Sequence, residues 1–378
     1  MRILFLAKNL DAGGVTTQAF FLGRMFVKEG HKVAIASGSF IGQHSFNFVK
    51  FKEAGFTVYE IPFPGQDNMN LINAIKSFLR FYHILKDYQP DIIHIHWRAT
   101  SIYALFAKKF FKIPVVSTLH LQNIPHSWIY RVFSFWGDYA IAISTETFEE
   151  LIKVYKVPKE RVVLIYNGVD DDYFRPPTES EKKQALSKYG LSESDQVISL
   201  IGRLTFVKGQ DILLKALKIL KDKSVNLTAI LAGAGDSESI IKLAKELGVE
   251  NNIILPGFVD SREVLWASDI LVLPSRQEGF AVVIAEAMLC GVVPIRTPAA
   301  GAYDQIDDGI NGFLVPFENP IVLAEKIELL LRDRNLKNKM SLAAIQKARD
   351  KFVLRESARK TMEIYEMAIK DYGQRNLK

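Results

Sequence analysis

In the stretch RQEGFAVVIAE, Arg276 to Glu286, two carboxylates bracket a mostly apolar run. The preceding DILVLPS reads as a buried strand closed by Pro274, and AVVIAEAMLCG reads as a helix ended by Gly291. Glu278 then falls on a strand-to-helix loop and Glu286 inside the helix. A helical rise of 1.5 Å per residue puts them at most about 12 Å apart and turns one from the other by about 80°. Both can face one ligand. That span suits a molecule with hydroxyls at both ends and a charged middle, such as a nucleotide sugar, whose phosphates can lie at the intervening helix N-terminus.

Other residues of chemical interest also sit just after strand-like runs. KNLDAGGVTTQ offers Gly13 and Gly14, where backbone amides can approach a phosphate ahead of a helix beginning near Val15; a simple tight turn explains the pair equally well. GRLTFVKGQD offers Arg203 and Lys208, two cations able to clamp a diphosphate from two sides, although surface cations are common. The loop AGAGDSES, Ala232 to Ser239, lacks the third glycine of a dinucleotide turn. His94 and His96 alternate on one strand and point the same way, but two ligands fall short of a catalytic zinc's usual three. The Asp170–Asp172 triplet has the spacing of a magnesium-binding motif and reads better as a solvated loop, so no metal is expected.

The elements that must carry these residues alternate between strand and helix. RILFLA, KVAIAS, TVYEI, DIIHIH, VVSTLH and YAIAIS form one set of strands, and QVISLIG, LTAILAG, NIILPG, DILVLP, VVPIRT and GFLVP a second. This is an α/β pattern of parallel sheets with helices on both faces, and ligands of such sheets bind at the carboxyl ends of the strands. NGVDDDYFRPPTESEKK reads as the connection between two domains. RESARKTMEIYEMAIKDYG reads as a final amphipathic helix. No repeat or low-complexity tract is present.

The chain of 378 residues, 48% hydrophobic and 24% charged, is too long for one core and suits two. One cysteine, Cys290, excludes an internal disulfide, and Met1 leads straight into a strand pattern without a signal-peptide profile. A cytoplasmic location is the expectation. The formal charge of +6 belongs to the first half: residues 1–170 hold 19 Lys and Arg against 13 Asp and Glu, while the remainder is balanced at 29 of each. That half is the candidate for meeting an anionic partner.

Taken in order, the glycine pair after strand one, GHKV, PDIIHIH, STLH, NGVD, GRLTFVKG, GFV, PSRQEGFAVVIAEAMLCGVVPI and DGINGFLVP resemble the retaining glycosyltransferases of the large GT-B family 4. The resemblance implies two Rossmann-like, doubly wound domains facing each other across a cleft. The first spans 1–169 and is completed by a C-terminal helix at about 357–378; the second, 170–356, holds the donor. By the same resemblance Glu278 binds donor-sugar hydroxyls, Glu286 the ribose, Arg203 and Lys208 the diphosphate, and His120 the donor sugar or acceptor at the reaction centre. Backbone at Gly13, Gly14, Gly279, Phe280 and Ala281 completes the donor site. Ala281 stands where the family often has glycine, and AAGAYDQI where it commonly has a glycine pair followed by Pro-Glu. Transfer would proceed by front-face attack, the leaving phosphate helping to deprotonate the acceptor, with no cofactor and no metal.

The implied function is transfer of a hexose, from a UDP-sugar in preference to a GDP-sugar, to a glycan or lipid-linked acceptor in cell-surface polysaccharide or lipopolysaccharide synthesis. A sugar-nucleotide 2-epimerase and a catalytically idle nucleotide-sugar sensor are the alternatives. TSIYALFAKKFFKI and PHSWIYRVFSFWGD mix aromatics with Lys108, Lys109, Lys112 and Arg131. Such segments suit peripheral contact with an anionic membrane, or equally the core helices of a Rossmann-like domain. Nucleic acid is not an expected partner.

Overall fold

The computed structural model describes residues 1–8, 10, 14–38, 48–61, 63, 71–121 and 135–376. Gly13, Trp128 and Arg131 lie outside the described residues. The chain forms two compact units: Met1–Gly168 together with Leu354–Lys378, and Val169–Val353.

In the first unit β1 (Arg2–Ala7), β2 (Lys32–Ser37), β3 (Thr57–Glu60), β4 (Ile92–Ile95), β5 (Val115–Leu119), β6 (Tyr139–Ala142) and β7 (Val162–Leu164) make one sheet. Its order is β3-β2-β1-β4-β5-β6-β7, all parallel. Successive residues of β1 point to opposite faces, and both faces are covered: Ile3 and Phe5 pack with Phe20, Phe51 and Tyr365, Leu4 and Leu6 with Phe81 and Tyr103. Burial on both sides is why these strands are almost wholly apolar rather than alternating. The helix Leu354–Asn376 belongs to this unit and supplies Ala358, Ile364, Tyr365 and Ala368 to its core.

The second unit repeats the plan with β8 (Val197–Ile201), β9 (Thr228–Ala232), β10 (Ile253–Gly257), β11 (Ile270–Leu273), β12 (Val293–Arg296) and β13 (Phe313–Leu314). The order is β10-β9-β8-β11-β12-β13, again parallel. Leu213, Leu214 and Leu217 of the helix Gln210–Asp222 join Leu323 and Ile327 of the helix Pro320–Arg332 in its core.

One basic residue has a different task from the surface role its sequence suggests. Lys108, in the π-helical turn Ala107–Phe111, forms an ion pair with Asp138, whose carboxylate is buried and also accepts the Val115 amide at 3.0 Å. The pair fixes the start of β5 and the entry to β6 together, so Lys108 is structural and not a lipid-facing charge. Asp138→Ala, which strands the ammonium and the amide together, is expected to cost about 3 kcal/mol. Urea denaturation checks it; a change within experimental scatter would deny the pair this role.

Candidate functional site

In the second unit the chain runs outward from β8 through β9 to β10 and then crosses back to β11 on the other side of β8. This is the switch point where open α/β sheets bind ligands. The loops after β8 and β11 meet there. Gly209, at φ +73°, joins the 3-10 turn Phe206–Lys208 to the helix Gln210–Asp222, and a Cβ on it would come 2.2 Å from the Pro274 carbonyl oxygen. Only glycine allows that approach. Arg276 then ties the two loops: its amide donates to the Val207 carbonyl at 2.8 Å, and its guanidinium makes two 2.9 Å bonds to Asp211 and lies 3.6 Å from the Phe206 ring centroid.

The result is a contact between residues 70 positions apart, Lys208 Nζ donating to Glu278 Oε1 at 2.6 Å. Little of either side chain is exposed, 22% for the lysine and 8% for the glutamate. Arg203, on the same loop, is exposed, and its carbonyl accepts from Gln210 Nε2 at 2.9 Å. The AGAG loop supports it from below. A Cβ at Gly233 would sit 1.9 Å from the Gly202 carbonyl oxygen, while the Leu204 amide donates to Ala234 at 2.8 Å. Those glycines therefore serve loop packing.

Beyond Glu278 and Gly279 the Phe280 ring is buried edge-on against Phe352, leaving its backbone as the part that can meet a ligand. Ala281 is in the left-handed region, at φ +51°, and caps the helix Val282–Leu289 without a side-chain hydrogen bond. First-turn amides that their cap does not occupy favour an anion. One turn on, Glu286 is half-buried, and burial pushes its pKa up to about 7; a hydrogen bond from Ser261 opposes the shift and the charge of Asp260 adds to it.

In the first unit Gly14 opens the helix Gly14–Lys28, where an added Cβ would meet no other atom. His120 follows β5, and its Nε2 is 3.1 Å from Nδ1 of His96, just after β4. The His94 ring lies 4.1 Å from that of His96, its Nδ1 2.6 Å from Tyr365 Oη and its Nε2 2.7 Å from Thr118 Oγ1. Burial dominates their titration: His94 is lowered to about 3, His120 to about 4, and His96 well below the usual value. All three are neutral at neutral pH. Among the described residues no group of three or more His, Cys, Asp or Glu is arranged to hold a metal ion. Asp170 Oδ1 accepts the amides of Asp172 and Tyr173, both at 3.2 Å, which makes the aspartate triplet a turn.

Two family profiles match the chain, "Glycosyltransferase Family 4" over residues 12–173 and "Glycosyl transferases group 1" over residues 181–347. The chain belongs to the group 1, family 4 glycosyltransferases. Among its relatives are a D-inositol 3-phosphate glycosyltransferase of Xylanimonas cellulosilytica, 26% identical over 95% of this chain and 93% of that one, and an N-acetyl-alpha-D-glucosaminyl L-malate synthase of Bacillus anthracis, 27% identical over 90% and 91%. A glycosyltransferase of Rickettsia africae shares the fold with a TM-score of 0.83, 24% identity and 98% of each chain covered. HepE of Anabaena, solved with UDP-glucose, does so with a TM-score of 0.83, 21% identity and coverage of 97% of this chain and 100% of that one. The two sheets and their helices are those of the GT-B glycosyltransferases.

Of the residues singled out from sequence, Lys208 and Glu278 are joined directly, and Gly279, Phe280, Ala281 and Glu286 follow along one turn and helix. His120 and Gly14 belong to the other unit. Sequence reasoning missed Arg276, which brackets both loops, and the link of His96 to His120. The second was legible in principle, since a histidine after β5 neighbours one after β4 once the sheet is parallel.

These shifts make stability depend on pH in opposite senses. Below the ordinary histidine value of 6.5 the unfolded chain takes up protons that folded His94, His96 and His120 refuse, so stability falls as pH drops from 6.5 towards 4. Glu286 holds its proton more tightly when folded, so its cost grows as pH rises from 4.5 to about 7 and is constant above. Glu286→Gln should therefore raise the Tm of this glycosyltransferase more at about pH 8 than at about pH 5. Equal shifts at both pH values would contradict the buried-carboxyl account.

Proposed function

We propose that this glycosyltransferase moves a hexose from a nucleotide sugar, a UDP-sugar in preference to a GDP-sugar, to a glycan or lipid-linked acceptor with retention at the anomeric carbon. The observation that carries the reading is the Lys208–Glu278 pair beside the uncapped start of Val282–Leu289. Glu278 Oε1 is taken by the ammonium, which leaves Oε2 to accept a sugar hydroxyl; ionised carboxylates accept only. Lys208, Arg203 and the first-turn amides meet the diphosphate, and Glu286 receives the ribose. Gly14, with Gly13, offers further amides, and neutral His120 contacts donor sugar or acceptor. Stabilising the departing diphosphate is then the largest electrostatic task, and no protein nucleophile, cofactor or metal is required. Structures of HepE with UDP and with UDP-glucose support the donor class, and the likeness to WaaG, described as involved in lipopolysaccharide biosynthesis, supports a cell-surface product.

Calorimetry against UDP-, GDP- and ADP-sugars identifies the donor. With it, Lys208→Ala and Arg203→Ala should each lower kcat/KM by at least about 100-fold, because losing one preorganised donor to a developing anion costs that much. Turnover should persist in excess EDTA. Near-wild-type kinetics in both variants, or loss of activity on chelation restored by Mg²⁺, would reject the clamp.

The acceptor reading extends to an anionic membrane surface on the first unit. Ile72, Ile75, Leu79 and Tyr82 form an exposed stripe along the helix Leu71–Tyr88, and Tyr82 packs on Phe111, next to exposed Phe110. Ile102 and Leu105 are exposed on the neighbouring helix Ser101–Phe106. Lys76, Arg80, Lys86, Lys109 and Lys112 are exposed along the same segments. Interleaved apolar and cationic side chains suit acyl chains beneath anionic headgroups, each cation contributing about 1 kcal/mol and screened by salt. No helix among the described residues is long and apolar enough to cross a membrane. Co-sedimentation should show binding to vesicles of anionic lipid but not to zwitterionic ones, weakened by Leu79→Ser with Lys109→Glu and Lys112→Glu. Indifference to anionic vesicles at low salt would turn the acceptor search to soluble molecules.

A further inference from the structure

Arg296, the last residue of β12, is the largest side chain fully withdrawn from solvent among the described residues. An arginine keeps its charge in any protein environment, so its burial demands acceptors. Four are present. Nε donates to the Thr297 carbonyl at 3.2 Å, Nη2 to the carbonyls of Ala299 and Ala300 at 3.1 Å each, and Nη1 to Gln305 Oε1. The guanidinium thus gathers the whole loop Thr297–Gln305 around itself.

That loop touches the candidate donor site twice. Gly301 packs so closely on the turn after Glu278 that an added Cβ would lie 3.0 Å from Phe280 Cα and 3.3 Å from the Gly279 oxygen. Gln305, its amide oriented by Arg296, donates Nε2 to the Ala281 carbonyl at 3.2 Å. Ala281 is the left-handed residue on which the helix carrying Glu286 begins. We infer that Arg296 and Gln305 are positioning residues: they hold the Glu278–Ala281 turn, and with it the helix start, in the geometry that receives the nucleotide. The inference rests on the reading of that turn as the donor site.

Gln305→Glu keeps an acceptor for Arg296 and turns the donor to Ala281 into a carboxylate oxygen that repels its carbonyl; Arg296→Met removes the organising charge. In calorimetry with UDP, GDP and ADP, the nucleotide that binds wild type best should bind Gln305→Glu about tenfold more weakly, the weight of one buried hydrogen bond, with Tm within about 4 °C of wild type. Arg296→Met should lose more. Adding Ala281→Gly to Gln305→Glu should recover most of the affinity, since glycine takes the left-handed conformation unaided. Unchanged affinity in Gln305→Glu, or no recovery with glycine, overturns the positioning role, as does a collapse of the fold in both single variants. A wild type that binds none of the three nucleotides overturns the donor-site reading itself.

Discussion

A lysine ammonium and a glutamate carboxylate, both largely withdrawn from water, have to be delivered to one point by loops 70 residues apart. Neither is tolerable there alone, because an unpaired charge in such surroundings costs several kcal/mol, of the order of 3–5. Much of the second unit follows from that requirement. β8 and β11 must be neighbours, as their register at Ile198–Ile270 makes them; position 209 must lack a side chain; and Arg276 must hold the two loops at fixed separation. The pair is in turn an acceptor and a cation already desolvated and aligned, so a ligand with a hydroxyl and a phosphate meets groups that need no further ordering.

The first unit offers the opposite electrostatic solution. Its clustered His94, His96 and His120 are linked by hydrogen bonds that include no carboxylate, and low dielectric keeps these three neutral. A neutral imidazole can donate with one nitrogen and accept with the other. With His120 Nε2 engaged by His96, its second ring nitrogen is the one outside that contact. The loops after β8 and β11 are joined by paired charges, whereas the histidine cluster of the first unit is built from neutral rings.

Twelve of the strands were readable because parallel strands covered on both faces are short unbroken apolar runs, and RILFLA or DILVLP can be little else. β7 was missed. Three residues, VVL, at the sheet edge give no run long enough to separate from a loop. The loops that carry chemistry were readable as places, through Arg203, Lys208, Glu278 and Glu286, but not as geometry. Lys108 and Arg296 were the least legible of all. A long basic side chain reads as solvent-facing unless its buried partner is known, and Asp138 and Gln305 become partners only through the fold.

Ala281 shows how a departure from a family pattern can be absorbed. The family often has glycine there, and the φ of +51° supplies the reason: a side chain in the left-handed region costs roughly 1–2 kcal/mol. This chain keeps the conformation nonetheless. A net hydrogen bond contributes about 0.5–1.5 kcal/mol, comparable with the strain, and Gln305 makes one to the Ala281 carbonyl itself. Glutamine at 305 is useful only if its oxygen is held elsewhere, which is what the buried guanidinium of Arg296 does. The AAGAYDQI segment that sets this chain apart from its family is therefore coupled, through Gln305, to the other departure at Ala281.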